Sequence, residues 1–114
     1  VSDANTFLEQ PETDEIELTE VLHALSDPMR LRLVRELYDD GGERSCGSFD
    51  LPIAKSTLTH HWRVLRDAGV VAAREEGTRK FHSLRRDDLD RRFPGLLASV
   101  VGAENLSSAT AGRQ

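Results

Sequence analysis

Nine consecutive residues, Lys55 to Arg63 ("KSTLTHHWR"), supply an ammonium, three hydroxyls, two imidazoles and a guanidinium. Ser, Thr and Lys near a helix start donate hydrogen bonds to phosphate oxygens, and Arg63 is long enough to meet the O6 and N7 acceptors of a guanine edge. A second cationic group, Arg74, Arg79 and Lys80, flanks the turn "EEGT" and suits backbone phosphates or a minor groove, although Glu75 and Glu76 dilute its field. Other chemistries find less support. Zinc ligands come in close sets, whereas this chain has one cysteine and no H-x-x-H spacing. Cys46 has no glycine-rich phosphate loop or paired catalytic signature beside it, so no enzyme activity, metal or cofactor is expected. A lone cysteine is more often inert and buried than reactive, and the alternative is a redox-sensing thiol.

The donors of Lys55 to Arg63 need a rigid carrier. Leu58, His61, Trp62 and Leu65 fall at i, i+3, i+4 and i+7, the buried stripe of an amphipathic helix. That stripe turns Ser56, Thr59, His60 and Arg63 outward, with Thr57 at the flank and Lys55 at the helix start. His60 and His61 point about 100° apart, so His60 faces out while His61 packs inward with Trp62. His23 and His82 read as structural or surface residues.

Upstream, Leu18, Val21, Leu22 and Leu25 repeat the helical spacing in a helix that begins near Asp14 and stops near Ser26. Asp27 then suits an N-cap and Pro28 the first position of a second helix. Met29, Leu33 and Leu37 line its inner face with Val34 beside them, and Arg30, Arg32 and Arg35 lie outside. Asp39-Asp40-Gly41-Gly42 ends it. Residues 44–54 read as a short helix around Gly47 to Leu51 that Pro52 cuts off. This helix and the next, joined by a tight turn, outline a helix-turn-helix. Gly69 suits a helix C′ position, and the runs on either side of Glu75 to Thr78 are short enough for a hairpin, which behind a helix-turn-helix is a wing.

The expected fold is mainly α with a small β-hairpin, a winged helix-turn-helix over residues 14–105. A mobile acidic leader, 1–13, precedes it and a disordered tail, 106–114, follows. The apolar faces at Leu18/Leu22 and at Leu96/Leu97/Val100/Val101 exceed what a small core needs, which points to a homodimer through the first and last helices.

Length and charge are consistent with this reading. The 114 residues, 38% hydrophobic and 31% charged, suit one domain with one modest core. No apolar run is long enough to span a bilayer and the first residues lack signal-peptide character, so a cytoplasmic protein without membrane contact is expected. The net charge of −5 argues at first against a polyanionic partner. However, residues 1–20 hold seven carboxylates and no Lys or Arg, which leaves the rest of the chain at +2. Segment 55–92 has ten Lys/Arg against six Asp/Glu. The donor-bearing half is therefore mildly basic.

"ALSDPMRLRLVREL", "LPIAKSTLTHHWRVLRDAGVV" and the wing "REEGTRKFHSL" together resemble the ArsR/SmtB family of small winged-helix bacterial repressors, over roughly Ile16 to Val101. The resemblance implies a homodimer that binds a double-stranded DNA operator and is released by an inducer. It also implies that Lys55, Ser56, Thr57, Thr59, His60 and Arg63 face DNA from the recognition helix, and Thr78, Arg79 and Lys80 from the wing. The chain departs from the family's metal sensors: "GGERS", with Cys46 one residue beyond, stands at their E-L-C-V-C type box, and "FPGLLASVVGAE" has no histidine. Ala54 stands where a capping Ser is usual. Two alternatives are a thiol-based redox-sensing repressor acting through Cys46 and a winged-helix protein-interaction module without DNA binding.

Overall fold

The computed structural model describes residues 6–7, 9–45, 48–49 and 51–111, with side chains for those within 9–105. The first helix, α1 (Leu18–Ala24), starts later than Asp14 because a separate 3-10 turn at Thr13–Glu15 precedes it. That turn is closed by the Glu12 N–H donating to Glu15 Oε1 at 2.8 Å. The chain then passes through extended Ile16, whose side chain is buried in the core.

Helix α2 (Pro28–Asp40) begins as its residues dictate. Asp27 Oδ2 accepts from the N–H groups of Met29 at 2.9 Å and Arg30 at 3.1 Å, with Pro28 in the first turn. Its buried residues are Arg30, Leu33, Val34 and Leu37, an i, i+3, i+4, i+7 stripe. The expectation that Arg30 lies outside is therefore corrected: it occupies the same helical face as Leu33 and Leu37. Its guanidinium is satisfied within the core by the Ala24 carbonyl, at 2.6 Å from Nε, and by His61 Nδ1, at 3.1 Å from Nη1.

After the short strand β2 (Arg44–Ser45), the helix expected over Gly47 to Leu51 falls largely on residues outside those described, and Leu51 to Ala54 are irregular. Helix α3 (Lys55–Asp67) buries Leu58, His61, Trp62 and Leu65, as the spacing requires. It ends in a Schellman motif, in which the Gly69 N–H donates to Arg66 O and the Val70 N–H to Leu65 O, both at 3.0 Å. Gly69 sits at φ +86°, and a Cβ there would lie 2.6 Å from Ile16 Cγ1, so both backbone and packing demand glycine.

Strands β3 (Val71–Glu76) and β4 (Arg79–Leu84) pair antiparallel from Val71↔Leu84 to Glu76↔Arg79. Gly77 (φ +62°) and Thr78 form the two-residue loop, with glycine where a type II′ turn takes it. The sheet is larger than a hairpin. Its order is β1-β3-β4-β2, with β1 (Thr6–Phe7) pairing on β3 through Thr6↔Glu75 and Phe7↔Arg74.

Two described residues of the expected leader, Gln10 and Pro11, contact the fold. The Ala73 N–H donates to Gln10 Oε1 at 3.0 Å and Arg85 Nη1 to the Pro11 carbonyl at 2.6 Å. The open edge of β3 presents unpaired backbone groups that a passing strand satisfies.

Helix α4 (Arg86–Arg92) leads into α5 (Leu96–Ala111), which runs six residues past position 105, where the expected domain ends. Helix α5 packs on α2 and α4. Consequently Leu97 (2% exposed) and Val101 (4%) belong to the protomer's own core. Their assignment to a dimer face is corrected, because one helix stripe cannot serve both. Leu18 (44%) and Leu22 (46%) are exposed, and Leu96 and Val100 are half-buried.

Candidate nucleic-acid interface

Packing α3 against the sheet places the two donor clusters on one side of the molecule. Lys55, Ser56, Thr57, Thr59, His60 and Arg63 are all exposed, as are Thr78 and Arg79, with Lys80 half-buried beside them. Lys55, Thr59 and Arg63 from the helix and Thr78, Arg79 and Lys80 from the wing line the same cleft, about 960 Å³ in volume. No local pattern specifies that convergence; it follows from how the sheet docks on α3.

Individual side chains differ in how free they are. Thr59 donates its hydroxyl to the Lys55 carbonyl at 3.0 Å, so it can offer a partner only its lone pairs. Ala54 at the N-cap provides no side-chain acceptor, which leaves the first N–H groups of α3 without a cap. Arg74 stands apart from Arg79 and Lys80, because Glu43 accepts from its Nε at 2.7 Å and its Nη2 at 2.6 Å. It also lies over the Phe81 ring at 4.6 Å. Its guanidinium is a strut of the sheet.

Beneath the surface, the α3 stripe is held by polar contacts as well as apolar ones. Burial opposes the charged form of Asp27, but the backbone N–H of Arg30, then the charges of His61 and Arg30, hold its carboxyl below the ordinary range. His61, 3.9 Å from that carboxylate through Nε2, has its pKa lowered by burial despite Asp27, with Arg30 and His60 adding to the effect. Because Arg30 donates to Nδ1, the neutral tautomer of His61 carries its proton on Nε2, toward Asp27. This contact joins the α1–α2 junction to the helix bearing the donors.

The comparisons agree with this geometry. A helix-turn-helix domain model matches residues 25–74, from the end of α1 into β3. The HTH-type transcriptional regulator YceK of Bacillus subtilis is 35% identical over 97 residues, covering 83% of this chain and 97% of the relative. The crystal structure of M. tuberculosis Rv0081 superimposes with a TM-score of 0.58 at 32% identity, over 83% of this chain and 90% of that one. An ArsR-like transcriptional regulator from Rhodococcus sp. RHA1 shares the fold, with a TM-score of 0.57 at 24% identity, over 85% and 90%.

The chain belongs to the HTH-type transcriptional regulators, and its fold is one that an ArsR-like regulator shares. As a member it is a DNA-binding transcription regulator, and its similar proteins carry the names of regulators rather than enzymes. Among the described residues no helix of this HTH-type regulator is long and apolar enough to cross a membrane. Among them, too, no three His, Cys, Asp or Glu cluster as a metal site would require. Cys46 lies outside the described residues.

Three residues in or beneath the cleft have roles that the reading of the helix and wing donors does not include. Arg30 was signalled by its i, i+3, i+4, i+7 relation to Leu33, Val34 and Leu37. His82 was signalled by strand alternation, since it pairs with buried Ala73 and is itself 1% exposed. Arg66 lines the cleft from the last turn of α3, and nothing local marks it as different from any other helix arginine.

Proposed function

We propose that this regulator is a homodimeric repressor whose two α3 helices enter successive major grooves of a pseudo-palindromic operator. The half-sites would lie about one helical turn, roughly 34–36 Å, apart. Each β3–β4 wing lies alongside on the flanking backbone, the bound dimer occludes polymerase, and a small-molecule inducer releases it, all within the cytoplasm.

The observation that carries the reading is that Arg63 and Lys55 on α3 and Arg79 on the wing are exposed and line one cleft. Ser56, Thr57, Thr59 and the uncapped start of α3 suit phosphates; Arg63 and His60 suit base edges. Thr78 and Lys80 belong with Arg79 on the flanking backbone. For the dimer, the support is the exposure of Leu18 and Leu22 on α1, with half-buried Leu96 and Val100 on α5.

The test is operator binding by fluorescence anisotropy across salt concentration, using the region upstream of the regulator's own gene. Affinity should fall steeply as salt rises. Arg63→Ala should cost about 1–3 kcal/mol and relax base preference at one position per half-site. Unchanged affinity and preference would remove α3 as the reading element.

A further inference from the structure

The cleft between α3 and the wing has features that contact with DNA does not account for. Among the described residues its polar rim carries Lys55, Arg63, Arg66, Arg79 and Lys80 against one carboxylate, Glu9. Its floor is apolar: Phe49, Leu58 and Trp62 are buried, and Leu51 and Ile53 are half-buried. Phe49 meets Trp62 edge to face at 5.1 Å, and Trp62 stacks on His82. A sugar–phosphate strand can satisfy the rim, but it has nothing to lay against such a floor.

The floor and wall also hold unmet hydrogen-bonding groups. Among the described residues, Trp62 Nε1, Arg66 Nε and both ring nitrogens of His82 are buried and find no hydrogen-bond partner. Trp62 and Arg66 can only donate there, and neutral His82 has one N–H and one acceptor. Buried polar atoms are nearly always paired, and these four belong to residues that line one cleft, so an occupant that parts the walls slightly would give them partners. The partner they call for is rich in acceptors and negatively charged, with a flat apolar body. A volume of about 960 Å³ falls within the usual range of small-molecule sites.

We propose that the cleft between α3 and the wing binds a small aromatic carboxylate, its ring against Phe49 and Trp62 and its carboxylate on Arg66. The assignment rests on the repressor reading in one respect: Arg63, Arg79 and Lys80 would serve both occupants, so the bound acid competes with the operator and acts as the inducer.

Trp62 is the only tryptophan in the chain, so its indole N–H gives a single local NMR signal. The test is to titrate 15N-labelled protein with 2-naphthoate, the neutral 2-naphthylmethanol, and inorganic phosphate. The naphthoate should move the Trp62 signal saturably at millimolar concentration or below, and the alcohol should bind about tenfold more weakly for want of the charged hydrogen bond. Phosphate should leave the signal nearly unmoved. Arg66→Gln should lose about tenfold in naphthoate affinity for the same reason.

The proposal falls if naphthoate gives no saturable shift, if the alcohol matches it, or if Arg66→Gln binds as the parent does. A shift from phosphate alone would make the cleft a seat for the DNA backbone and equally overturn it. Should Arg66→Gln fail to fold, the naphthoate–alcohol comparison on the parent protein still decides. Operator affinity is measured on the same samples. Absent DNA binding with an intact naphthoate shift would strike the repressor reading and leave the ligand assignment standing. Full operator affinity in saturating naphthoate would refute the competition.

Discussion

The imidazole of His82 lies flat against the indole of Trp62, with ring centroids 4.0 Å apart and planes 10° from parallel. Trp62 comes from the helix that carries Arg63, and His82 from the strand that carries Lys80. The wing is therefore oriented on α3 by a buried aromatic contact close to the cleft, and disturbing that stack should be felt on both of its walls.

Burial, with Lys80 and Arg66 adding to it, pushes the His82 pKa down from 6.5 to about 4. The unfolded chain therefore takes up this proton near pH 6.5, while the folded one does so only near pH 4. Stability should fall as pH drops through that window, by about 3 kcal/mol in all. Burial of His61 acts in the same direction. Urea melts between pH 8 and pH 4 should show the decline begin below about pH 6.5. His82→Phe keeps a ring against Trp62 without buried nitrogens and should flatten most of it; an equally steep decline would place the titration elsewhere.

Gly69→Ala should destabilise the fold by about 2–4 kcal/mol, combining the cost of a left-handed residue with overpacking. The added methyl would lie 2.6 Å from Cγ1 of fully buried Ile16, so the side chain must shift to admit it. Thermal and urea denaturation measure this directly, and a loss below about 1 kcal/mol would mean that the Ile16 contact yields easily.

Ala54→Ser should stabilise the chain by about 1 kcal/mol, because the N-cap of α3 already has extended backbone and lacks only the acceptor. No rise in the urea midpoint would show that its N–H groups find other partners in solution.

Leu22→Asp should turn the proposed dimer into a monomer in sedimentation equilibrium with little change in helix content, because Leu22 is 46% exposed within the protomer. A dimer that survives the change would move the two-fold contact away from α1.

Some of this molecule is legible in local pattern because the determining interactions are local. Asp27-Pro28 sets the start of α2 through atoms two and three residues away. Leu58, His61, Trp62 and Leu65 choose the face of α3 through the 3.6-residue period alone. Gly69 and Gly77 end the helix and turn the hairpin through backbone angles that other residues resist.

Other features depend on partners far along the chain. Arg30 goes inside because Ala24 O and His61 Nδ1 wait there, and a cation on a helix otherwise reads as surface. Thr6–Phe7 becomes a strand because β3 leaves an open edge, not through any strong strand pattern of its own. Leu97 and Val101 look no different from Leu96 and Val100 in sequence; the docking of α5 on α2 and α4 selects the first pair for the core. Spacing along the backbone thus specifies each element and its faces, because those depend on neighbours a few residues away. Which faces meet, and hence that α3 and the wing enclose one cleft over the Trp62–His82 stack, is decided only by packing between residues twenty positions apart.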